Sequence, residues 1–137
     1  MDLYGANPSL ADVQSVLGDS NWWPGPPSFG VRPLDATSVP MAQKFHVTTR
    51  FAHIGTAEML EIEYALWNTA AAATTSLTDI QTAFGTSATG PKVGDQVLYY
   101  GQRTQGAAPF GTLTFVRIGA SVTTIALTQK DAFPTVA

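Results

Sequence analysis

The longest regular pattern in the chain is an alternation of apolar and polar residues from position 44 to position 67, KFHVTTRFAHIGTAEMLEIEYALW. A period of two is typical of a strand that buries one face. With a tight turn at Gly55, the segment predicts a long β-hairpin with one apolar and one polar face. The predicted pairs are Phe45–Leu66, Val47–Tyr64, Thr49–Ile62 and Phe51–Leu60 on the apolar face, and His46–Ala65, Thr48–Glu63, Arg50–Glu61 and Ala52–Met59 on the polar face.

The register of this hairpin is fixed by its charges. A slip of one residue would move every side chain to the other face and carry Arg50, Glu61 and Glu63 into the core. Each unpaired buried charge costs several kcal/mol. Burial contributes roughly 1.5–3 kcal/mol per large apolar side chain, against roughly 0.2–1 kcal/mol for the Arg50–Glu61 contact. The pattern therefore assigns the hairpin to the scaffold.

Two segments predict helices. Ser9 can cap a short helix that ends before Gly18, and Asn68 or Thr69 can cap a longer one that runs to Phe84. Apolar residues recur at helical spacing in both, so each helix is expected to pack on the sheet. These stripes consist of Leu10, Val13 and Leu17 in the first helix and of Ala73, Leu77, Ile80 and Phe84 in the second.

Four further strands are predicted. Residues 31–34 contain a proline and suit an edge strand, residues 95–102 predict a long strand, and residues 112–118 and 122–128 predict a second hairpin about Gly119. A three-residue loop in this hairpin places its large apolar residues on one face, whereas a two-residue loop mixes them, and we favour the former. Those residues are Leu113, Phe115, Ile125 and Leu127.

These elements predict one α+β domain over residues 1–137, with a curved antiparallel sheet of about five strands and two helices packed on one face. The length suffices for a core, and 45% hydrophobic content with only 12% charged residues argues against disorder. Cysteine is absent, which excludes disulfides and thiolate chemistry. The composition is therefore that of a folded, cysteine-free domain.

The charge and hydropathy narrow the range of partners. A net charge of −3 gives no basic surface for a phosphate backbone, so no nucleic-acid partner is expected. No apolar run approaches the roughly 18 residues of a membrane span, so we expect no membrane insertion by this chain itself. A signal or anchor segment would lie outside this chain.

The candidate binding residues are aromatic. Residues 19–30, DSNWWPGPPSFG, hold three prolines and two glycines, which predicts an irregular loop. Trp22 and Trp23 either cap the end of the core or present one indole to a groove for a ligand or partner. Together with Tyr99 and Tyr100, they are the predicted ligand-binding residues nearest any apolar cleft.

No pattern in the chain demands an enzyme. His46 and His53 are seven residues apart on one strand, so they point to opposite faces and cannot bind one metal together. Glu61 and Glu63 share a face about 7 Å apart, a spacing near that of paired catalytic carboxylates. The alternative is a solvated strand face balanced by Arg50 and Lys44. No triad signature, phosphate loop or dinucleotide fingerprint is found, so neither catalysis nor a cofactor is expected.

Residues 93–127, VGDQVLYYGQRTQGAAPFGTLTFVRIGASVTTIAL, carry a resemblance to known proteins. Their order of Gly-Asp, strand, Gly-rich loop, strand, Arg-hydrophobic-Gly and strand resembles bacterial extracytoplasmic sensor-like domains. These include the external domains of actinobacterial serine/threonine kinases and related lipoproteins. The opening SLADVQSVLG at 9–18, followed by a proline-rich loop, is similar to how such domains begin. The matching residues 94–95 and 117–119 are interpreted as structural turns, and the cysteines that staple some of these domains are missing.

The resemblance covers about half of the chain and implies a function. It implies a non-enzymatic binding or sensing domain outside the cytoplasm, with a cleft for a small apolar, lipid or cell-wall ligand or a protein partner. A tether outside this chain would attach it to a membrane. The alternative is a structural protein of a virion or surface assembly, such as a decoration or filament subunit, which low charge and threonine-rich strands also suit. Ligand identity and oligomeric state are left open.

Overall fold

A computed structural model describes residues 8–25, 28–30, 43–56, 58–102 and 111–128. Within these ranges the chain is α+β, as predicted, and the predicted strand at 31–34 lies outside the described residues. The elements in chain order are α1 (Leu10–Leu17), β1 (Trp22–Pro24), β2 (Ser28–Gly30), β3 (Gln43–His53), β4 (Met59–Trp67), α2 (Ala70–Phe84), β5 (Gln96–Gln102), β6 (Gly111–Ile118) and β7 (Ser121–Thr128).

The described strands form one open antiparallel sheet. Six strands follow the order β1-β3-β4-β7-β6-β5, and β2 shares the outer edge of β3 with β1. The sheet exceeds the predicted five strands because β1 and β2 lie within residues 19–30, where an irregular loop was expected. Strands of three residues at a sheet edge tolerate nearby prolines, since an edge residue needs no ladder partner on its outer side.

The β3–β4 hairpin confirms the predicted register at all eight positions. Val47 and Phe51, on the predicted apolar face, are almost completely buried. A bulge between Gln43 and Phe45 adds one further pair, in which Gln43 faces Trp67. The alternation of apolar and polar residues was therefore sufficient to set the central pair of strands.

Local signals define α1. The Ser9 hydroxyl accepts the backbone N–H of Asp12, and the Asp12 carboxylate accepts the backbone N–H of Ser9, which completes a capping box. Gly18 ends the helix with a φ of 69°, a left-handed conformation that favours glycine. Val13 is buried against the sheet, but Leu17, the third residue of the predicted stripe, is 37% exposed.

Local signals also define α2. The Thr69 side chain accepts the backbone N–H of Ala72, and the helix ends before Gly85. Ala73 and Leu77 are completely buried, as the apolar stripe predicted. The end of the stripe, Phe84, is half exposed, yet its ring lies 5.3 Å from that of Tyr100.

The two helices lie on opposite faces of the sheet, which corrects the prediction that both pack on one face. Leu60 and Trp67 in β4 are seven residues apart, so their side chains point to opposite faces. Leu60 belongs to the core beneath α1, and Trp67 to the core beneath α2. We call the two sides the α1 face and the α2 face. The α1 core contains Val13, Trp22, Phe51 and Leu60, and the α2 core contains Trp67, Ala73, Leu77, Leu98, Tyr100, Phe115 and Val122.

The β6–β7 hairpin differs from its prediction for the same reason. Its loop has two residues, Gly119 and Ala120, because Ile118 pairs with Ser121. Gly119 has a φ of 58°, as the first central residue of a type II′ turn requires. The three-residue loop was favoured because it gathers the apolar residues on one face, whereas here each face has its own core. Leu113 and Phe115 serve the α2 face, and Ile125 and Leu127 serve the α1 face.

Two cores on opposite faces predict independent contributions to stability. Val13→Ala should lower the free energy of unfolding by about 1–3 kcal/mol and Leu77→Ala by about 2–5 kcal/mol. The double variant should show their sum within about 0.5 kcal/mol, because the two side chains share no partner. Urea titration measures these values. As the matched control, Leu77→Ala combined with Phe115→Leu, in one core, should deviate from additivity.

Candidate functional site

The structure separates the four aromatic residues that the sequence singled out. Trp22 and Trp23 lie on β1 at one edge of the sheet, and Tyr99 and Tyr100 lie on β5 at the opposite edge. Five strand spacings put the two pairs roughly 24 Å apart. Within each pair, consecutive side chains point to opposite faces. The four side chains therefore do not line one cleft.

Both tyrosines anchor the segment that joins α2 to β5. Tyr100 is buried in the α2 core, where burial raises the pKa of its phenol, and its hydroxyl donates to the Gly85 carbonyl at 3.2 Å. The Tyr99 hydroxyl donates to the Pro91 carbonyl at 2.6 Å. A side chain at Gly90 would collide with the Tyr99 ring, since a Cβ there would lie 2.5 Å from it. These contacts give both phenols a structural role.

The two tryptophans have different environments. Trp22 is 4% exposed and belongs to the α1 core, which confirms for this residue the interpretation that it caps the core. Its indole meets the His53 imidazole edge-on, with ring centres 5.3 Å apart and an interplanar angle of 77°. Trp23 is 57% exposed on the opposite face. The burial of Trp22 therefore fixes the strand that presents Trp23.

A chain of polar side chains surrounds His53 at the end of the β3–β4 hairpin. His53 Nε2 lies 2.7 Å from Asp19 Oδ2, and His53 Nδ1 lies 2.9 Å from Thr56 Oγ1. Thr56 Oγ1 lies 3.0 Å from Glu58 Oε2 and accepts the Glu58 backbone N–H at 3.2 Å. We call these four residues the His53 array. It connects the segment between α1 and β1 to the turn between β3 and β4.

Sequence reasoning did not find the His53 array. His53 was considered only as a metal ligand, and its separation from His46 excluded a shared site. Asp19 lies 34 positions away from His53, and no spacing rule links an acid in a loop to a histidine at the end of a distant strand. The pairing follows from β1 aligning with β3, because Trp22 lies opposite His53.

Hydrogen bonding sets the charge state of Asp19. The hydrogen bond from His53 is the largest cause that lowers the pKa of the Asp19 carboxyl below its ordinary value, and the backbone N–H of Asn21 lowers it further. Burial opposes this shift. Asp19 is therefore held as a carboxylate that accepts hydrogen bonds on both of its oxygens.

The order of groups in the array is that of a nucleophile, a base and an orienting acid. Thr56 Oγ1 also lies within hydrogen-bond distance of the Glu58 carboxylate, an acceptor that competes with His53 for the hydroxyl proton. Nor do the described side chains include a cluster of three or more His, Asp or Glu that is placed to bind a metal ion. The arrangement is thus best suited to joining two segments of the fold.

An exposed surface lies on the α2 face at the same end of the hairpin. Trp23, Ala52 and Met59 form one row across β1, β3 and β4, because Ala52 pairs with both of the others. Trp23 and Met59 are 57% and 40% exposed, with backbones about 10 Å apart. Arg50 and Glu61 form the next row. We call these five residues the Trp23 surface.

Charged groups border the aromatic row. Arg50 Nε lies 2.5 Å from Glu61 Oε2, which confirms the predicted cross-strand pair. Both side chains are partly exposed, so the pair contributes little to stability. Glu63, the second acid of the predicted carboxylate pair, accepts a 3.4 Å hydrogen bond from the buried Thr48 hydroxyl. Both carboxylates thus have partners within the hairpin.

Comparison with known proteins shows a shared fold. No family model matches the sequence, and no curated protein matches it. The crystal structure of the extracellular domain of PknH from Mycobacterium tuberculosis is similar, with a TM-score of 0.64 over 94% of this chain and 86% of that chain. Sequence identity is 10%, so the likeness concerns the fold alone. Neither described helix has both the length and the apolar character to cross a membrane.

The lowered pKa of Asp19 predicts a pH-dependent loss of stability in Asp19→Asn. The carboxylate contributes stability that is complete above its ordinary pKa of about 3.9. This contribution disappears as the pH falls through the lower pKa of the folded state. Asp19→Asn should therefore be less stable than the wild type at about pH 6, and the difference should narrow below about pH 4. Urea titrations across this range measure it.

The control for Asp19→Asn is Asp79→Asn, which removes the same charge from the exposed side of α2. It should change stability little at either pH. A stability difference for Asp19→Asn that did not narrow in acid would contradict the role assigned to the His53–Asp19 hydrogen bond.

Proposed function

We propose that this chain is a non-enzymatic binding or sensing domain that acts outside the cytoplasm. Its recognition site is the Trp23 surface, and its ligand is a small apolar, lipid or cell-wall molecule or a protein partner. Of the four aromatic residues first considered, Trp23 is the one whose environment suits contact with a ligand.

One observation carries this proposal: an exposed tryptophan on a strand held by a buried neighbour. The indole of Trp23 has little conformational freedom to lose on binding, because Trp22 fixes the backbone of β1 on the other face. Tryptophan, arginine and methionine are enriched at recognition sites, and Trp23, Arg50 and Met59 lie within two rows of one sheet. A solvated strand edge without a binding role would not require these three residue types to lie together.

The comparison supports the location and the class. The similar structure is that of the extracellular domain of PknH, and this chain shares its fold over most of its length. The partners found for Glu61 and Glu63 favour a binding role over the carboxylate chemistry considered from the sequence. Low charge and abundant threonine, alanine, serine and glycine are also compatible with a surface outside the cytoplasm.

Ligand binding should raise the melting temperature. At 100 times its dissociation constant, a ligand stabilises the folded state by about 2.7 kcal/mol, which corresponds to roughly 8–10 °C for a domain of this size. Differential scanning fluorimetry against lipids and cell-wall fragments should find such a shift. Trp23→Ala should abolish the shift while changing the stability of the free protein by no more than about 0.5 kcal/mol.

Ile118→Ala is the matched control for this experiment, because Ile118 is as exposed as Trp23 but lies at the far end of β6. It should keep the full ligand response. A ligand that shifts Trp23→Ala as strongly as the wild type would place recognition elsewhere. No shift across a broad panel, with no protein partner found, would contradict the proposed binding role.

The second candidate function, a subunit of a virion or surface assembly, is favoured by exposed apolar residues away from the Trp23 surface. Val16 in α1 is 83% exposed and Ile118 in β6 is 61% exposed. Under the binding role we expect light scattering at high concentration to give a monomer of 14.5 kDa. A stable ring or filament that dissociates on Val16→Ser or Ile118→Ser would instead establish the assembly role.

A further inference from the structure

We propose that the His53 array is a proton-binding site through which acid tightens the link between the α1–β1 segment and the β3–β4 turn. This function goes beyond ligand binding at the Trp23 surface. It rests on the number of protons that the four side chains can share and on the distances between their polar atoms.

A neutral imidazole cannot satisfy every short contact in the array. It carries one N–H, and the Asp19 carboxylate can only accept, so this proton lies on Nε2. Nδ1 then accepts and takes the single proton of the Thr56 hydroxyl. Thr56 Oγ1 and Glu58 Oε2, 3.0 Å apart, are left with no proton between them. Two oxygen lone pairs face each other in that state.

Protonation of His53 completes the chain. Nε2–H donates to Asp19 and Nδ1–H donates to Thr56 Oγ1, which frees the Thr56 hydroxyl to donate to Glu58 Oε2. Each contact then has one donor and one acceptor. The added positive charge lies between two carboxylates, since His53 Nδ1 is 4.0 Å from Glu58 Oε2 and Nε2 is 2.7 Å from Asp19 Oδ2. The observed distances therefore fit the charged imidazole best.

The side chains that contact the His53 ring come from several parts of the fold. The His53 side chain is only 10% exposed, and the groups that face it are Asp19 from the α1–β1 segment, Thr56 and Glu58 from the turn, and Trp22 from β1. The added hydrogen bond from Thr56 to Glu58 lies within the turn, and the positive charge on the imidazole strengthens the donation from Nε2 to Asp19, which joins the end of β3 to the α1–β1 segment. Acid is thus expected to hold β1 more firmly, and only the effect on binding at Trp23 depends on the proposed function.

Nuclear magnetic resonance can test the proposal on the unliganded chain. The sequence has two histidines, and His46 lies on the α2 face, away from the array. As the pH is lowered from about 8 to about 5, the Trp22 indole signal should follow the His53 ring signal. Amide exchange at Glu58, corrected for its intrinsic rate, should be about three- to tenfold slower at the acidic end, the factor that one net hydrogen bond supplies.

Two variants separate the array from general effects of pH. Thr56→Val keeps the shape of the side chain but removes the relay to Glu58, so the exchange response should be lost. His46→Gln should leave every response intact. The proposal would be overturned if neither the Trp22 indole signal nor amide exchange at Glu58 changed in the wild type between about pH 5 and 8. It would also be overturned if Thr56→Val kept the full change in exchange rate. If amide exchange at Glu58 responded to pH as expected but the Trp23 indole signal did not change, the proton-binding site would be supported. Ligand binding at the Trp23 surface would then be independent of it.

Discussion

The fold depends on the alternation of side chains along β3 and β4, since these strands supply residues to the cores on both faces of the sheet. The Leu60 side chain packs in the α1 core, and the Trp67 side chain, seven residues later, packs in the α2 core. A shift of one residue would exchange the two faces and place Glu61 and Glu63 among apolar side chains. Each core therefore enforces the register that the other requires, and the remaining strands align on this pair.

The same alternation links the buried and exposed parts of the site. Trp22 and Trp23 are neighbours on β1, so burial of one indole on the α1 face obliges the other to point away from it. Trp22 packs edge-on against His53, and His53 is held by Asp19 and Thr56. The orientation of an exposed recognition residue is thus set by a buried ring and a short chain of hydrogen bonds on the opposite face.

The sequence predicted the elements whose signals are local. The cap at Ser9, a cap at Asn68 or Thr69 and the register of the first hairpin were all read from residues close in the chain. The structure confirms the first and the last, and it has the second cap at Thr69. The placement of both helices on one face was wrong because periodicity shows that a helix has an apolar stripe but not which face of the sheet it covers. The two-residue turn at Gly119 was missed for the same reason, since one buried face was assumed. The short strands β1 and β2 were missed because three residues are too few for a period.

The candidate site was less accessible to prediction than the fold. Trp23 was identified from its residue type and its loop, and its exposure could be known only after β1 had been paired with β3. The His53 array brings Asp19 together with His53, Thr56 and Glu58 through that same pairing. Contacts made between segments far apart in sequence leave no local pattern, so they are found from coordinates and not from spacing.

The His53 array lies beside α1 and β1, where fewer side chains are buried than around α2. The helix α1 has eight residues and one buried side chain, Val13, whereas α2 has fifteen residues and buries Ala73 and Leu77 completely. Elements with few buried contacts open most readily and are those from which switching segments are drawn. The hydrogen bonds that the Asp19 carboxylate accepts, and those that the Gln14 side-chain amide donates to the Ser20 and Trp22 carbonyls, therefore supply a larger share of the cohesion in this region. The gain or loss of one proton has its largest effect on stability where the fewest apolar side chains are buried, and the His53 array lies in that part of the fold.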